Sequence, residues 1–334
     1  MIFFLKAHAQ KIIIENKIAK GVEIIHKGKK EIIYSNLETI ICSGPINSPQ
    51  LLMLSGVGDS KELKQLGINM VHDLPGVGKN LQDHLEIYTQ YKNIQPYSLY
   101  SLFNNPFVKA YEGIKWFLFK KGKLSRTHLE MGGFVRSSNN YEHPNLQFHF
   151  FPSLVINHGL GKPHCHAFQF HISPNRPSSR GWIKLRSSNP NDKPIIQFNY
   201  LETEEDRKQM RDSVRIARKI FSQESLKTYS GTEISPGFDK QNDKELDDVI
   251  RSKSETAYHP SCSNKMGIDN MAVVNQETKV YGINNLRVVD SSIMPDIISG
   301  NLNAATIMIA EKASDLILGK QELEPIEVGH YQAV

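Results

Sequence analysis

The sequence predicts a mixed chain in which α/β and α+β character alternate along the polypeptide. Three observations predict it. Near both ends, short β-branched runs meet turns that open into helices. The middle, from Glu86 to about Tyr200, consists of strand-like pieces joined by Pro- and Asn-rich connections. Glu204 to Phe221 then carries an apolar stripe at helical spacing. With 334 residues the chain can bury a sizeable core, as two domains or one large one.

Taken in order, "AQKIII", "KGVEII", "EIIYS" and "ETIICSG" read as a small meander feeding a buried strand, with a solvated hairpin turn in "HKGKKE". From Thr39 to Cys42 that strand runs into a Ser43-Gly44 turn, and Ser48 is expected to cap a short helix beginning near Pro49. The pieces "GGFVRS", "NLQFHFF", "AFQFHIS" and "GWIKLRS" predict one antiparallel sheet. In the helix after Glu204, Met210, Val214, Ala217 and Phe221 share a face and read as core. A buried strand ending at Asp290, a polar loop and a closing helix from about Ala304 to Leu318 follow, with Ile307, Ala310, Ser314 and Ile317 on one face of that helix.

Composition narrows the function. The formal charge of +5 arises from 40 basic and 35 acidic residues spread along the chain, without the dense basic block of a nucleic-acid or anionic-membrane surface. Cys42, Cys165 and Cys262 lie far apart with no CxxC pair, which points to neither a disulfide framework nor a zinc knuckle and fits a reducing compartment. No apolar run approaches the roughly 20 residues of a membrane span, and Lys6 and His8 interrupt "MIFFLKAHAQ" too early for a signal-peptide core. "GVGDSK" and "GVGKNL" both lack the third glycine of GxGxxG, so the chain carries no dinucleotide fingerprint.

"SETAYHPSCSNKMG", Ser254 to Gly267, gathers the reactive residues. A metal site is disfavoured because His164 and His166 lie two apart in "KPHCHAF" and His259 has no second histidine within four residues on either side. A Cys262–His259 dyad would put nucleophile and base on one short loop, whereas cysteine nucleophiles take their base from a distant segment. A general base and a structural histidine both remain open on the residues alone. Imidazole suits the first role because its reference pKa of about 6.5 leaves a proton acceptor available near neutrality.

The stretches "SGPINSPQLLMLSGVG", "DLPGVGKNLQDH", "HPSCSNKMG", "LRVVDSSIMP" and "SGNLNAATIMIAEKASDLI" together resemble the glucose–methanol–choline family of flavin oxidoreductases, in the family's order and across essentially the whole chain. "ETAYHPSC", "FHFFPSLVINHG" and "PSSRGWIKLRSSNPNDKPIIQFNYL" are most similar to its choline-oxidising members. The resemblance implies a partial FAD/NAD(P)-binding, Rossmann-like domain with an antiparallel-sheet substrate domain. Residues 1–85 and 256–320 would belong to the first, 86–255 to the second and 321–334 to a tail. The family's opening βαβ unit with GxGxxG is missing from this sequence, and a C-terminal fragment is the expectation.

The resemblance further implies FAD as cofactor and oxidation of choline to betaine aldehyde, towards glycine betaine, with a quinone or other electron acceptor. The alternatives are another alcohol or glucose dehydrogenase of the family, or an inactive stand-alone fragment. By similarity His259 is the base and Asn301 its partner. Asn303 and Ala304 meet the flavin ring, Asp290 and Ser291 approach the ribityl and phosphate end, Ser43 and Gly44 pass the ADP moiety, and Ala9 touches the adenine. Asp290 is also placed to hold its own loop. Glu130 resembles the carboxylate that meets the trimethylammonium group, with His128 two residues earlier on the same strand face and His149 a further pocket candidate; a solvent-exposed strand glutamate is the plain alternative. No metal and no nucleic acid are expected. Peripheral attachment to a membrane, in a bacterial cytoplasm or a mitochondrion, is among the implied associations. One departure stands out: Asn264 takes the place of a small thiol common in the family, and a buried amide needs hydrogen-bond partners.

Overall fold

In the computed structural model, which describes residues 2–129, 131–156, 159–321, 323–324 and 326–327, the β-branched runs near the start form a meander. β1 (Ala7–Glu15), β2 (Ile18–His26) and β3 (Lys29–Tyr34) pair antiparallel in that order. Lys27 and Gly28 form the two-residue β2–β3 link with φ of 50° and 76°, the left-handed pair that matches strand twist. Ile12, Ala19 and Ile24 are buried, and Ile12 and Ala19 join one apolar core.

β4 (Thr39–Ile41) leads through Ser43 into α1 (Gly44–Leu54). This helix begins at Gly44, earlier than the expected start near Pro49. Gly44 turns the chain with φ of 81° and Pro45 opens the first turn, where a missing N–H costs nothing. Pro49 therefore lies inside α1 and has no N–H for the Pro45 carbonyl four residues back. The Ser263 hydroxyl donates to that carbonyl instead, at 2.5 Å. Ser48 is not a cap: it is fully buried within the helix and is used elsewhere.

The sheet-rich middle follows: β5 (Leu85–Asn93), α2 (Pro106–Phe119), β6 (Met131–Val135), β7 (Leu146–Phe151) and β8 (Ala167–Pro174). β9 (Trp182–Lys184) and β10 (Ile195–Gln197) pair only with each other. After them come α3 (Glu204–Phe221), β11 (Ser230–Ser235) and α4 (Asp243–Lys253). The main sheet is antiparallel in the order β11-β5-β8-β7-β6. Its register sets Phe148 against Ile172 and Phe150 against Phe170, giving one apolar face. The predicted stripe of α3 covers that face: Met210, Val214, Ala217 and Phe221 are all buried, and the Phe221 ring lies 4.7 Å from that of Phe170. Thr203 caps α3 by accepting the Asp206 N–H.

The chain closes with β12 (Leu286–Val288), parallel to β4, and α5 (Leu302–Ile317). α5 starts at Leu302 rather than near Ala304. Its packed side is also not the one marked by Ile307, Ala310, Ser314 and Ile317. Leu302, Ala305 and Ile309 pack with Cys262, Met294 and Ile297, while Ile307 stays 54% exposed. The face of the helix that meets the Cys262 side of the His259 loop is thus the one carrying Leu302, Ala305 and Ile309.

The chain divides into two units. One is built from the segment ending at Asp83, from Ser179–Tyr200 and from the segment beginning at Tyr258; the other comprises His84–Ser178 and Leu201–Ala257. Ser179–Tyr200, with its "GWIKLRS" strand, thus packs outside the main sheet in which the sequence reading placed it. The cause is local. Gly181 and Leu81 exchange backbone hydrogen bonds, and the Ile183 N–H donates to the Gly78 carbonyl. An added Cβ at Gly181 would lie 2.1 Å from the Gln197 carbonyl oxygen, so only glycine permits this approach.

Candidate active site

His259 stands on a loop whose backbone is held in costly conformations. Tyr258 and Cys262 on either side adopt φ of 61° and 70°, a region that disfavours side chains of their size. Neighbouring segments hold the loop there. Ser261 and Gln82 exchange backbone hydrogen bonds at 2.9 and 3.1 Å, and the His259 N–H donates to Asp83 Oδ1 at 2.9 Å. Farther on, the N–H groups of Cys262, Asn264 and Met266 donate in turn to the carbonyls of Ser291, Ser292 and Ile293. A short ladder therefore welds the His259 loop to the segment after Asp290.

At the other side of the site, the Asn301 amide Nδ2 lies 3.2 Å from His259 Nε2. An amide nitrogen can only donate, so in this contact Nε2 faces it as the acceptor. Asn301 occupies the N-cap position of α5 yet makes no capping hydrogen bond with its side chain. Asparagine is a favoured cap; here the amide faces the histidine instead. The segment leading to Asn301 is fastened by the same short stretch that holds His259. Gln82 Oε1 accepts the Ile297 N–H at 3.2 Å, and Asn80 Nδ2 donates to the Pro295 carbonyl at 2.9 Å. Asp296 accepts from Gln82 and from Arg180.

Four of the residues expected near a cofactor, Ser43, Gly44, Asp290 and Ser291, follow the carboxyl ends of β4 and β12. Asp290 Oδ2 accepts the Ser48 hydroxyl at 2.5 Å and the Gly44 N–H at 3.0 Å, while Oδ1 accepts the Ser292 N–H at 2.8 Å. Ser48 Oγ in turn accepts the Ser43 N–H. Both oxygens of this buried carboxylate thus hold two loops together, the second of the two roles expected for Asp290. Ser291 Oγ donates to the Pro260 carbonyl at 3.4 Å, joining this end to the His259 loop. Ala9 and Ser43 line one cavity of about 260 Å³ with His8, Asn47 and Gln50. Asn303 and Ala304 are exposed in the first turn of α5.

Of the substrate candidates, Glu130 lies outside the described residues. His128 is not on a strand face, because β6 begins only at Met131. His149 sits on β7 opposite Gly132 and His171, with its Nε2 3.0 Å from the Gln147 amide nitrogen.

Sequence reasoning missed several groups. Asp83 and Tyr200 beneath His259 are two of them, although "KNLQDH" contains the first. On the main sheet, His171 Nδ1 lies 3.1 Å from Glu86 Oε1 and the Tyr88 hydroxyl donates to Glu255. Burial first, then the Glu86 and Glu255 carboxylates, push that phenol far above its ordinary range. Nothing in the local spacing of these residues marks them.

Among the described residues no three His, Cys, Asp or Glu side chains converge as metal ligands. Asn264 is fully buried; its Nδ2 donates to Ser292 Oγ, while Oδ1 has no partner.

This arrangement has counterparts in proteins of known type. The GMC oxidoreductase pattern matches residues 2–86 and 177–310, and the chain belongs to that family. It is 49% identical over 334 residues to the mitochondrial choline dehydrogenase of Homo sapiens, covering 98% of this chain and 56% of that protein. It is 46% identical to the oxygen-dependent choline dehydrogenase of Burkholderia orbicola, covering 98% and 58%. Among solved structures, an FAD-dependent oxidoreductase from Chaetomium thermophilum superposes with a TM-score of 0.82 at 25% identity, over 94% of this chain and 61% of that one. The chain thus spans about half the length of the curated relatives it matches. The fold is that of the family, an FAD-binding domain with a substrate domain.

The thiol at Cys262 tests the geometry of the loop. Burial pushes it up to about 12, and the side chain is fully buried. Iodoacetamide at pH 8 should leave Cys262 unmodified in the folded protein and alkylate it only after denaturation, as read by peptide mass spectrometry. Alkylation of native Cys262 at the rate of a free thiol would contradict the structure.

Proposed function

We propose that this chain supplies the catalytic base and the C-terminal half of an FAD-dependent dehydrogenase that oxidises choline to betaine aldehyde. The approach of Asn301 Nδ2 to His259 Nε2 at 3.2 Å carries the reading. An alcohol oxygen entering between these atoms finds an acceptor for its proton and a donor for one of its lone pairs. Its O–H donates to Nε2, and Asn301 donates to the oxygen without competing for the proton. As choline is oxidised, the hydroxyl proton passes to Nε2 and the carbinol carbon gives up a hydrogen with its electron pair. FAD, when bound, supplies the acceptor for those two electrons.

The residues present fit that cofactor. The cavity lined by Ala9 and Ser43 would take the nucleotide end, beside a Ser43-Gly44 turn whose N–H groups are already held by Ser48 and Asp290. Asn303 and Ala304, in a first turn that Asn301 leaves without a side-chain cap, would offer N–H groups to a flavin, whose ring gains negative charge on reduction. Asp290 supports this end indirectly, by fixing Gly44 and Ser48. Choline as substrate is supported by the names of the relatives. Glu130, His128 and His149 are its proposed neighbours.

The proposal extends to a membrane partner, on one surface feature. Phe107, Tyr111, Ile114 and Leu118 recur at spacings of four, three and four along α2 and are 84%, 62%, 60% and 61% exposed. Lys109 and Lys115 lie on the same helix and Lys120, Lys121 and Lys123 just after it; the acidic residue of the helix, Glu112, is buried and accepts the Lys123 backbone N–H. An aromatic stripe rimmed by lysines complements an anionic bilayer surface. No described helix is long and apolar enough to cross a membrane.

Two tests follow. In protein carrying the complete flavin-binding region, anaerobic flavin reduction by choline should slow about 10²- to 10⁴-fold in His259→Gln. Choline should also outpace its uncharged isostere 3,3-dimethylbutan-1-ol by about 30-fold, the worth of a desolvated cation contact. Unchanged rates in His259→Gln would remove the base, and equal rates for the two alcohols would remove choline. Separately, the protein should sediment with phosphatidylserine vesicles and release at high salt, with several-fold weaker binding in Phe107→Glu/Leu118→Glu. Equal sedimentation of the variant would refute the α2 surface.

A further inference from the structure

We infer that Asp83 is the positioning residue of the base and that Tyr200 holds Asp83 in place; the catalytic part of this inference rests on the reading of His259 given above. Asp83 is 3% exposed, and a carboxylate so buried is tolerated only when its oxygens are satisfied. One of them, Oδ1, accepts the His259 backbone N–H at 2.9 Å; the other, Oδ2, accepts the Tyr200 hydroxyl at 2.5 Å. The three residues come from separate segments, 176 and 117 positions apart in the chain, so the contact is tertiary rather than a turn.

Two further observations give the contact work to do. His259 directly follows Tyr258, whose left-handed φ of 61° would relax if the next N–H were released. Tyr200 is itself aimed by unusual backbone: Asn199 and Leu201 on either side have φ of 55° and 60°, and its ring stacks on Phe198 at 4.8 Å. The ring nitrogen of His259 must meet an alcohol oxygen within hydrogen-bond distance. Misplacement of about 1 Å can cost 10²-fold in rate. Asp83 fixes the backbone from which the His259 ring projects. Its negative charge also lies on the side of a residue that becomes cationic when it takes the proton.

The test compares Asp83→Asn, Asp83→Ala and Tyr200→Phe in protein carrying the complete flavin-binding region, with two readouts. Amide hydrogen exchange at His259, followed with no substrate present, should accelerate at least tenfold in both Asp83 variants and less in Tyr200→Phe. With choline, kcat should fall about 10²-fold in Asp83→Asn while KM changes little, and the deuterium isotope effect from 1,1-dideuterated choline should rise. Where Asp83→Ala lowers the melting temperature too far to be measured, Asp83→Asn and Tyr200→Phe decide. Unaltered exchange at His259 in Asp83→Asn overturns the inference, as does a wild-type kcat with a wild-type isotope effect. If the unmodified protein is not reduced by choline, the substrate reading fails and the exchange measurement alone decides the role of Asp83.

Discussion

The site depends on four consecutive residues, Asn80 to Asp83, that hold two distant loops at once. Asp83 takes the N–H of His259 and Gln82 takes that of Ile297, four residues before Asn301. The backbone of Gln82 pairs with Ser261 on the same loop as His259. Without this bar, the imidazole and the amide would sit on independent loops. The observed separation of 3.2 Å would then need both loops to find it unaided, at a conformational cost of about 1–2 kcal/mol for each backbone residue ordered.

The bar matters because the loops it holds are not at rest. Tyr258 and Cys262 occupy a left-handed region that costs on the order of 1–3 kcal/mol at each such residue. The compensating contacts are mostly backbone hydrogen bonds in a buried setting: the ladder from Cys262 to Met266, the Ser261–Gln82 pair and the Ser263 hydroxyl on the Pro45 carbonyl. That last bond links the base to the other end of the site. The prolines that shape α1 leave a carbonyl unmet, and the residue that meets it belongs to "HPSCSNKMG". Asp290, clamping Gly44 and Ser48, completes the connection from the nucleotide end to the base.

What the sequence revealed followed the range of the forces involved. Met210, Val214, Ala217 and Phe221 could be read from periodicity because one helix face meets one sheet face. The Lys27-Gly28 turn could be read because turn chemistry is local. His259 and Asn301 were picked out by resemblance to a family, not by spacing, since 42 residues separate them. Asp83 and Tyr200 went unassigned, and Ser48 was read as a helix cap, because each acts through a partner more than a hundred positions away. The early start of α1 and the packed face of α5 have the same origin: tertiary contacts with the His259 loop and with Asp290 override the local cap and stripe. Ser179–Tyr200 reads as part of a sheet by composition, yet its backbone pairs with Leu81 and Gly78 of the other unit, while Gly181 lets its own strand close on Gln197.

The account turns on one geometric claim, that His259 and Asn301 together receive the hydroxyl of the substrate. A crystal structure of protein carrying the complete flavin-binding region, grown anaerobically with its flavin reduced and choline bound, measures this directly. The account predicts the choline oxygen between the two side chains, within about 3.2 Å of both His259 Nε2 and Asn301 Nδ2, the range of an ordinary hydrogen bond. A choline hydroxyl bound away from both, with the His259–Asn301 contact intact, would contradict it.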